Sequence, residues 1–291
     1  MCRPPKMDQP PPTTQPRFNG RVVFLIDESE PLRECIAGGT KSKAESIATA
    51  LNSLLSQLAT VADMEVAVAG YCGDGENGAD VGCRWGGPLA GRRFVPTAAL
   101  ADTPLVVEQR VRRMAVAAPG GQEETVPFPI WYVPRIGGSI LPVLGYAYCR
   151  RLVVSGTTPE TVWNNPPLVI SFLGDLAPQP MEMAVEQVLG LSLPGGPPLL
   201  FHVHLGGAVA GRSLLYPSSD VHLPPGPAGD LFRWSSVLPD DMIAALRSAQ
   251  IPVGAGARAM IYNATVADLI RMLSLVKTYA QRASAPWQPE D

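Results

Sequence analysis

Charge is scarce in this sequence. Asp, Glu, Lys and Arg make up 17% of the 291 residues, and the formal net charge is −3. A dedicated nucleic-acid binder carries a basic surplus, which this composition excludes. The densest basic cluster, Arg110, Arg112 and Arg113, reads as a solvated face. Histidine is rarer still, with three residues. The five cysteines, Cys2, Cys35, Cys72, Cys83 and Cys149, are odd in number, irregular in spacing and without a C-x-x-C. That argues against a disulfide framework or a zinc knuckle and fits a reducing cytosol. No run approaches the ~18 apolar residues of a membrane-spanning helix. The opening MCRPPKMDQPPPTTQPRFNG holds no apolar stretch of the signal-peptide kind. A soluble, cytoplasmic protein is the expectation.

Several catalytic signatures are missing as well. There is no G-x-x-x-x-G-K-[S/T] to cradle phosphates, and no G-x-G-x-x-G after the first apolar run. GGSIL (137–141) is not G-x-S-x-G, so Ser139 is a poor nucleophile. GDGENGAD (73–80) lacks the acidic positions and terminal Glu of a calcium loop and reads as a flexible turn. His202 and His204 stand two apart in FHVHL and share one strand face. No Cys or carboxylate follows them at zinc-ligand spacing, so packing or strand-end roles are expected. Trp85, Trp131 and Trp234 read as core or interface aromatics.

Apolar residues are abundant, at 46%, enough for a sizeable core. Residues 1–18 are proline-rich and polar, cannot bury enough surface to order themselves, and read as a disordered leader. Residues 284–291 read as a similar tail. No linker divides what lies between, so 19–283 is expected to form a single domain. Four short apolar runs read as buried strands: RVVFLI (21–26), EVAVAGY (65–71), PLVISFLG (167–174) and PLLFHVHL (198–205), with ARAMIYN (257–263) as a fifth. Being apolar on both faces, they fit a parallel sheet covered on both sides.

Helical periodicity lies between the strands. Ala44, Ile47, Ala48, Leu51, Leu54, Leu55 and Leu58 form one stripe. Ile140, Val143, Leu144 and Ala147 form a second, with Pro142 in the first turn. Residues 181–191 and 239–250 are further helices. Val266, Leu269, Ile270, Leu273 and Val276 line one face of a last helix over 265–282. Strands alternating with helices predict an α/β fold with a doubly wound, mainly parallel sheet. The segment 82–133 breaks the alternation and reads as a β-rich insertion or edge extension.

In such a sheet, ligands sit beyond the carboxyl ends of the strands. There the first run ends in Asp27-Glu28-Ser29-Glu30-Pro31, and the run at 167–174 ends in Gly174-Asp175. Gly137-Gly138-Ser139 precedes a helix start. Two carboxylates and two hydroxyls converging there are hard oxygen donors, suited to Mg²⁺. Glu28 and Glu30 add negative charge to the same loop, as cation attractors or as solvated side chains.

These stretches resemble the von Willebrand factor A domain and its metal-ion-dependent adhesion site, with a Rossmann-like sheet. The resemblance spans roughly 21–279 and is closest to bacterial intracellular members. It implies Asp27 and Ser29 as the first motif, Asp-x-Ser-x-Ser. It implies Ser139 in the place of a later Thr, and Asp175 as the late Asp. Pro31 stands where the second Ser belongs and offers neither oxygen nor N–H, so the implied Mg²⁺ site is degenerate. The resemblance further implies a non-enzymatic protein-interaction module in a bacterial signalling or defence system. Its implied partner is a protease, a MoxR-type ATPase, a kinase or a phosphatase that supplies an acidic side chain to the metal. Two alternatives stay open. One is a metal-dependent phosphoryl hydrolase using Asp27 and Asp175, although Ser29 occupies the place of that chemistry's second Asp. The other is a metal-free structural subunit that uses 82–133 as its interface.

Overall fold

The computed structural model describes residues 20–60, 64–74, 78–113, 123–158, 161, 163–176, 181–207 and 211–283. The expected leader 1–18 and tail 284–291 lie outside these residues. The strands are β1 (Gly20–Asp27), β2 (Met64–Asp74), β3 (Gly78–Cys83), β4 (Val95–Pro96), β5 (Val106–Arg113), β6 (Glu123–Ile130), β7 (Leu168–Leu173), β8 (Leu199–Leu205), β9 (Leu214–Leu215) and β10 (Met260–Ala264). The helices are α1 (Lys43–Leu58), α2 (Thr97–Leu100), α3 (Pro142–Val154), α4 (Glu182–Leu189), α5 (Pro227–Trp234), α6 (Asp240–Ser248) and α7 (Val266–Ala283).

The main sheet runs β3-β2-β1-β7-β8-β10-β9, with β4 also on β2. β2, β1, β7, β8 and β10 are parallel; β3, β4 and β9 join antiparallel. This is the mainly parallel α/β sheet read from the alternation of strands and helices. β1 shows why its run is continuously apolar. Val22, Phe24 and Ile26 enter the core that also holds α1, α6 and α7, while Val23 and Leu25 enter the core with α3, α4 and α5. A strand covered on both sides needs apolar residues at both parities.

Side-chain placement corrects two of the stripes. On α3 the buried residues are Pro142, Gly145, Tyr146, Cys149, Leu152 and Val153, whereas Leu144 is exposed. Gly145 selects this face, because a Cβ there would come within 2.4 Å of the Tyr71 ring. On α7, Ile270 is 56% exposed, and Met272, Tyr279 and Ala280 complete the buried face instead. The stripe read from five apolar positions was one residue too wide. α5 went unread, since PAGDLFRW is short and opens on Pro and Gly.

Within 82–133, the later part forms a separate two-stranded ribbon, β5–β6. Its base is clamped by Asn52 on α1. Asn52 Oδ1 accepts from the Trp131 and Tyr132 amides at 2.9 and 3.0 Å, and its Nδ2 donates to the Tyr132 carbonyl at 2.8 Å. All are buried, so deleting the carboxamide leaves backbone groups without partners, each worth about 1–3 kcal/mol. Asn52→Ala should therefore lower unfolding stability in urea by about 2–4 kcal/mol, while exposed Gln57→Ala changes it by less than about 0.5 kcal/mol. Equal midpoints for the two variants would contradict the clamp.

Candidate functional site

The carboxyl ends of β1, β2 and β7 form one rim, and backbone hydrogen bonds fix its loops. The Glu28 amide donates to the Tyr71 carbonyl at 2.8 Å, which extends the β1–β2 pairing past Asp27. The Gly137 amide donates to the Glu28 carbonyl at 2.9 Å, and the Glu30 amide to the Gly138 carbonyl at 3.2 Å. Gly73 and Ser139 exchange two bonds, at 2.8 and 3.0 Å. The 137–139 loop is thus stitched to both the β1 and β2 ends, and Gly138 turns it at φ +73°. Gly73 makes the close approach possible, since a Cβ there would lie 2.3 Å from Ser139 Oγ.

Asp27 is fully buried at the centre of the rim. Its Oδ1 accepts from the Ser29 amide at 3.0 Å and its Oδ2 from the Gly174 amide at 3.3 Å. Both donors are backbone amides rather than cationic side chains. Burial therefore dominates and raises its pKa, against the hydrogen bonds, with Asp175 adding repulsion. The Ser29 hydroxyl is buried beside the Asp27 carboxyl, whose pKa it lowers, and among the described residues it makes no hydrogen bond of normal geometry. Asp175 is exposed just beyond β7, where its Oδ1 caps the Leu176 amide at 2.7 Å. Ser139 is exposed on the opposite loop.

Glu28 departs from the solvated reading of the acidic loop. It is not solvated: it is fully buried, and its Oε2 accepts from Arg84 Nε at 2.8 Å, while its Oε1 has no hydrogen-bond partner among the described residues. The side chain lies across Gly70, where a Cβ would fall 2.3 Å from Glu28 Cδ. Burial raises the Glu28 pKa, and Arg84 opposes that shift. Arg84 continues to Asp80 at 3.0 Å, and Asp80 to Arg135 at 3.4 Å. Glu30, by contrast, is exposed and paired with Arg33 at 2.8 Å. Arg84, Gly70 and Gly73 were missed as site residues. The signal was two glycines inside the strand VAVAGYCGD, which mark close approach of other chain segments.

Pro31 opens a 3₁₀ turn, Glu30–Arg33, so its position serves backbone geometry. Lys43 lies under the β7 end, donating to the Gly174 carbonyl at 2.7 Å and to Glu34 at 2.9 Å. His204 stacks on Tyr262, with ring centroids 4.9 Å apart, and its Nδ1 accepts from the Asn263 amide at 3.3 Å. Burial first, then Lys43, hold it near pKa 4, with Asp175 opposing, so it is neutral with the proton on Nε2. His202 is buried against Ser235 at 2.9 Å and held near pKa 3 by burial. Both histidines occupy the packing and strand-end roles read for them.

A buried carboxylate with no cationic partner among the described residues, beside a poorly bonded hydroxyl, fits a hard cation, which would supply positive charge and use the hydroxyl oxygen. The set is short: among the described residues no group of three or more His, Cys, Asp or Glu could hold a metal. Hydroxyls and water would have to complete the coordination.

No protein-family model and no curated protein matches the sequence. Solved structures do. The chain is similar to the SpRpn10 VWA domain (TM-score 0.36, 9% identity, over 64% of this chain and 74% of that one). It is similar to proximal thread matrix protein 1 of the mussel byssus with a zinc-occupied MIDAS motif (TM-score 0.43, 11% identity, 91% of this chain and 48% of that one). It is also similar to the PilB minor pilin of Streptococcus sanguinis (TM-score 0.45, 11% identity, 93% and 63%). The chain thus spans under two thirds of the length of the last two. The likeness is one of fold. No helix among the described residues is long and apolar enough to cross a membrane.

The carboxyl of Asp27, followed by ¹³C NMR in chelator, should titrate above the ordinary 3.8 of an aspartate. A raised folded value means that its contribution to stability is full below the unfolded pKa and is lost as pH rises through the folded one. Added Mg²⁺ should pull the value down. A titration at or below 3.8 without metal would show that the protein itself already compensates the charge.

Proposed function

We propose that this chain is a non-enzymatic protein-interaction module that docks a partner on the rim formed by residues 27–31, 137–140 and 174–176. A divalent cation, Mg²⁺ in the first instance, is held there by Asp27 and Ser29, with Ser139 and Asp175 as the outer oxygen donors. The observation that supports this reading is the Asp27 carboxylate, fully buried without a cationic partner among the described residues, beside the buried Ser29 hydroxyl, which makes no hydrogen bond of normal geometry there. The cation supplies positive charge at the rim, and an acidic side chain of the partner completes its coordination. A protease, a MoxR-type ATPase, a kinase or a phosphatase within a bacterial signalling or defence system are the partner classes implied by the resemblance to von Willebrand A proteins. The hydrolase alternative gains no support from the geometry. Both Asp27 oxygens are held by backbone amides in a buried position, which suits a ligand better than a nucleophile.

Calorimetry with Mg²⁺ and Mn²⁺ tests the metal. Binding is expected in the micromolar to low-millimolar range, lost in Asp27→Ala and weakened about tenfold or more in Ser29→Ala, or about 1.4 kcal/mol. Pro31→Ser restores an oxygen at the deficient position and should tighten binding. Wild-type protein that binds neither ion, together with a Pro31→Ser variant that gains nothing, would leave the rim without a metal role.

A further inference from the structure

The β5–β6 ribbon stands apart from the main sheet. Two-stranded ribbons are marginal in water and expose two edges to other strands. The edges of this one differ. Pro127 lies opposite Gln109, and Pro129 opposite Val107. A proline has no N–H, so neither pair can be of the hydrogen-bonded kind. The ladder bonds therefore run through Glu108–Phe128 and Arg110–Val126. It follows that the amides and carbonyls of residues 107, 109 and 111 point outward along β5. The two prolines close the outer edge of β6 to strand addition. The β5 edge holds no proline, and among the described residues β6 is its one strand neighbour.

The side chains follow the same parity. Val107 and Val111 flank Gln109 on one face and are 47% and 61% exposed. Glu108 and Arg110 lie on the other face, where Arg110 stacks on Phe128 at 3.6 Å and reaches Glu108 at 2.8 Å. Set β5 antiparallel to a copy of itself, with Gln109 opposite Gln109. Val107 then faces Val111, and Glu108 faces Arg110, in both halves. The outward groups of 107, 109 and 111 meet as hydrogen-bonded pairs. Glu108 and Arg110 fall in the closer, non-hydrogen-bonded pairs, with Cα atoms about 4.5 Å apart, where opposite charges stabilise most. Centring on Glu108 or Arg110 instead sets like charges directly across. A half-step register sets outward groups against inward ones.

We propose that β5 is a self-recognising edge: two copies of this chain join through antiparallel β5–β5 pairing centred on Gln109, giving a four-stranded β6-β5-β5-β6 sheet. Such an interface is isologous and closes on itself as a two-fold dimer. It is independent of the rim, so its failure would leave the metal reading untouched.

Sedimentation velocity and light scattering over a concentration series test it. Wild-type protein should reach twice the 30.9 kDa protomer mass. Gln109→Pro removes the central outward amide and no ladder bond, so it should stay monomeric with an unchanged far-UV circular dichroism spectrum. Glu108→Arg and Arg110→Glu should each be monomeric alone, through like-charge contacts. Mixed one to one, they should regain the dimer, since each then faces its opposite. Three results would overturn the pairing: a wild-type monomer throughout, a Gln109→Pro dimer, or a mixture that stays monomeric. A wild-type monomer whose amides at 107, 109 and 111 resist hydrogen exchange would place a different strand on this edge and equally exclude self-pairing.

Discussion

Two adjacent carboxylates at the end of the central strand are carried to zero exposure, and the rim is organised around that burial. Water cannot solvate them there, so the protein must supply partners or leave them uncharged. It answers differently for each. Glu28 turns towards β2 and meets Arg84, which ties β1 to the β3 side of the sheet. Asp27 turns towards β7 and, among the described residues, meets two backbone amides and the Ser29 side chain but no cation. One carboxylate is paired with an arginine from within the fold. The other keeps an electrostatic demand that an external cation can meet.

This division gives the rim its rigidity and its polarity together. The amides of Gly137, Glu30 and Gly73 are all used in stitching the loops, so the positions of Ser29 and Ser139 follow from main-chain bonds rather than from side-chain packing. Gly70 and Gly73 leave room for Glu28 and Ser139 where any side chain would collide. Pro31 fits the same logic. It starts the turn that carries Leu32 into the core, at the cost of an oxygen donor in the loop.

At the far end of the sheet, another charge is buried with full compensation. Arg21 lies between the Phe94 and Trp163 rings, at 4.3 and 4.7 Å, and bonds Glu65 and the carbonyls of Val153 and Ser155. The contrast with Asp27 is informative. Arg21, unlike Asp27, is surrounded by partners on every side described. The ribbon shows a similar contrast in the backbone, with one edge closed by prolines and the other left with its hydrogen-bonding groups unpaired by β6.

The sequence alone determined the five parallel strands of the sheet, but not the antiparallel β3, β4 and β9, the first of which begins inside the stretch 73–80 read as a flexible turn. Continuous apolar runs such as RVVFLI require cover on both faces, and helical periodicity between them supplies it, so the layered α/β architecture was legible. That Asp27 and Asp175 lie at the ends of parallel strands was legible too, because such ends share one rim; Ser139 reaches the rim from the loop before α3. The buried face of α3, the pairing of Glu28 with Arg84 and the solvated place of Glu30 were decided only in three dimensions. Each depends on a contact between residues far apart in sequence: Gly145 under Tyr71, or Glu28 lying across Gly70. Local periodicity carries which residues are apolar. It does not carry which cavity a glycine opens or which distant charge arrives to fill it, and those contacts set the chemistry of the rim.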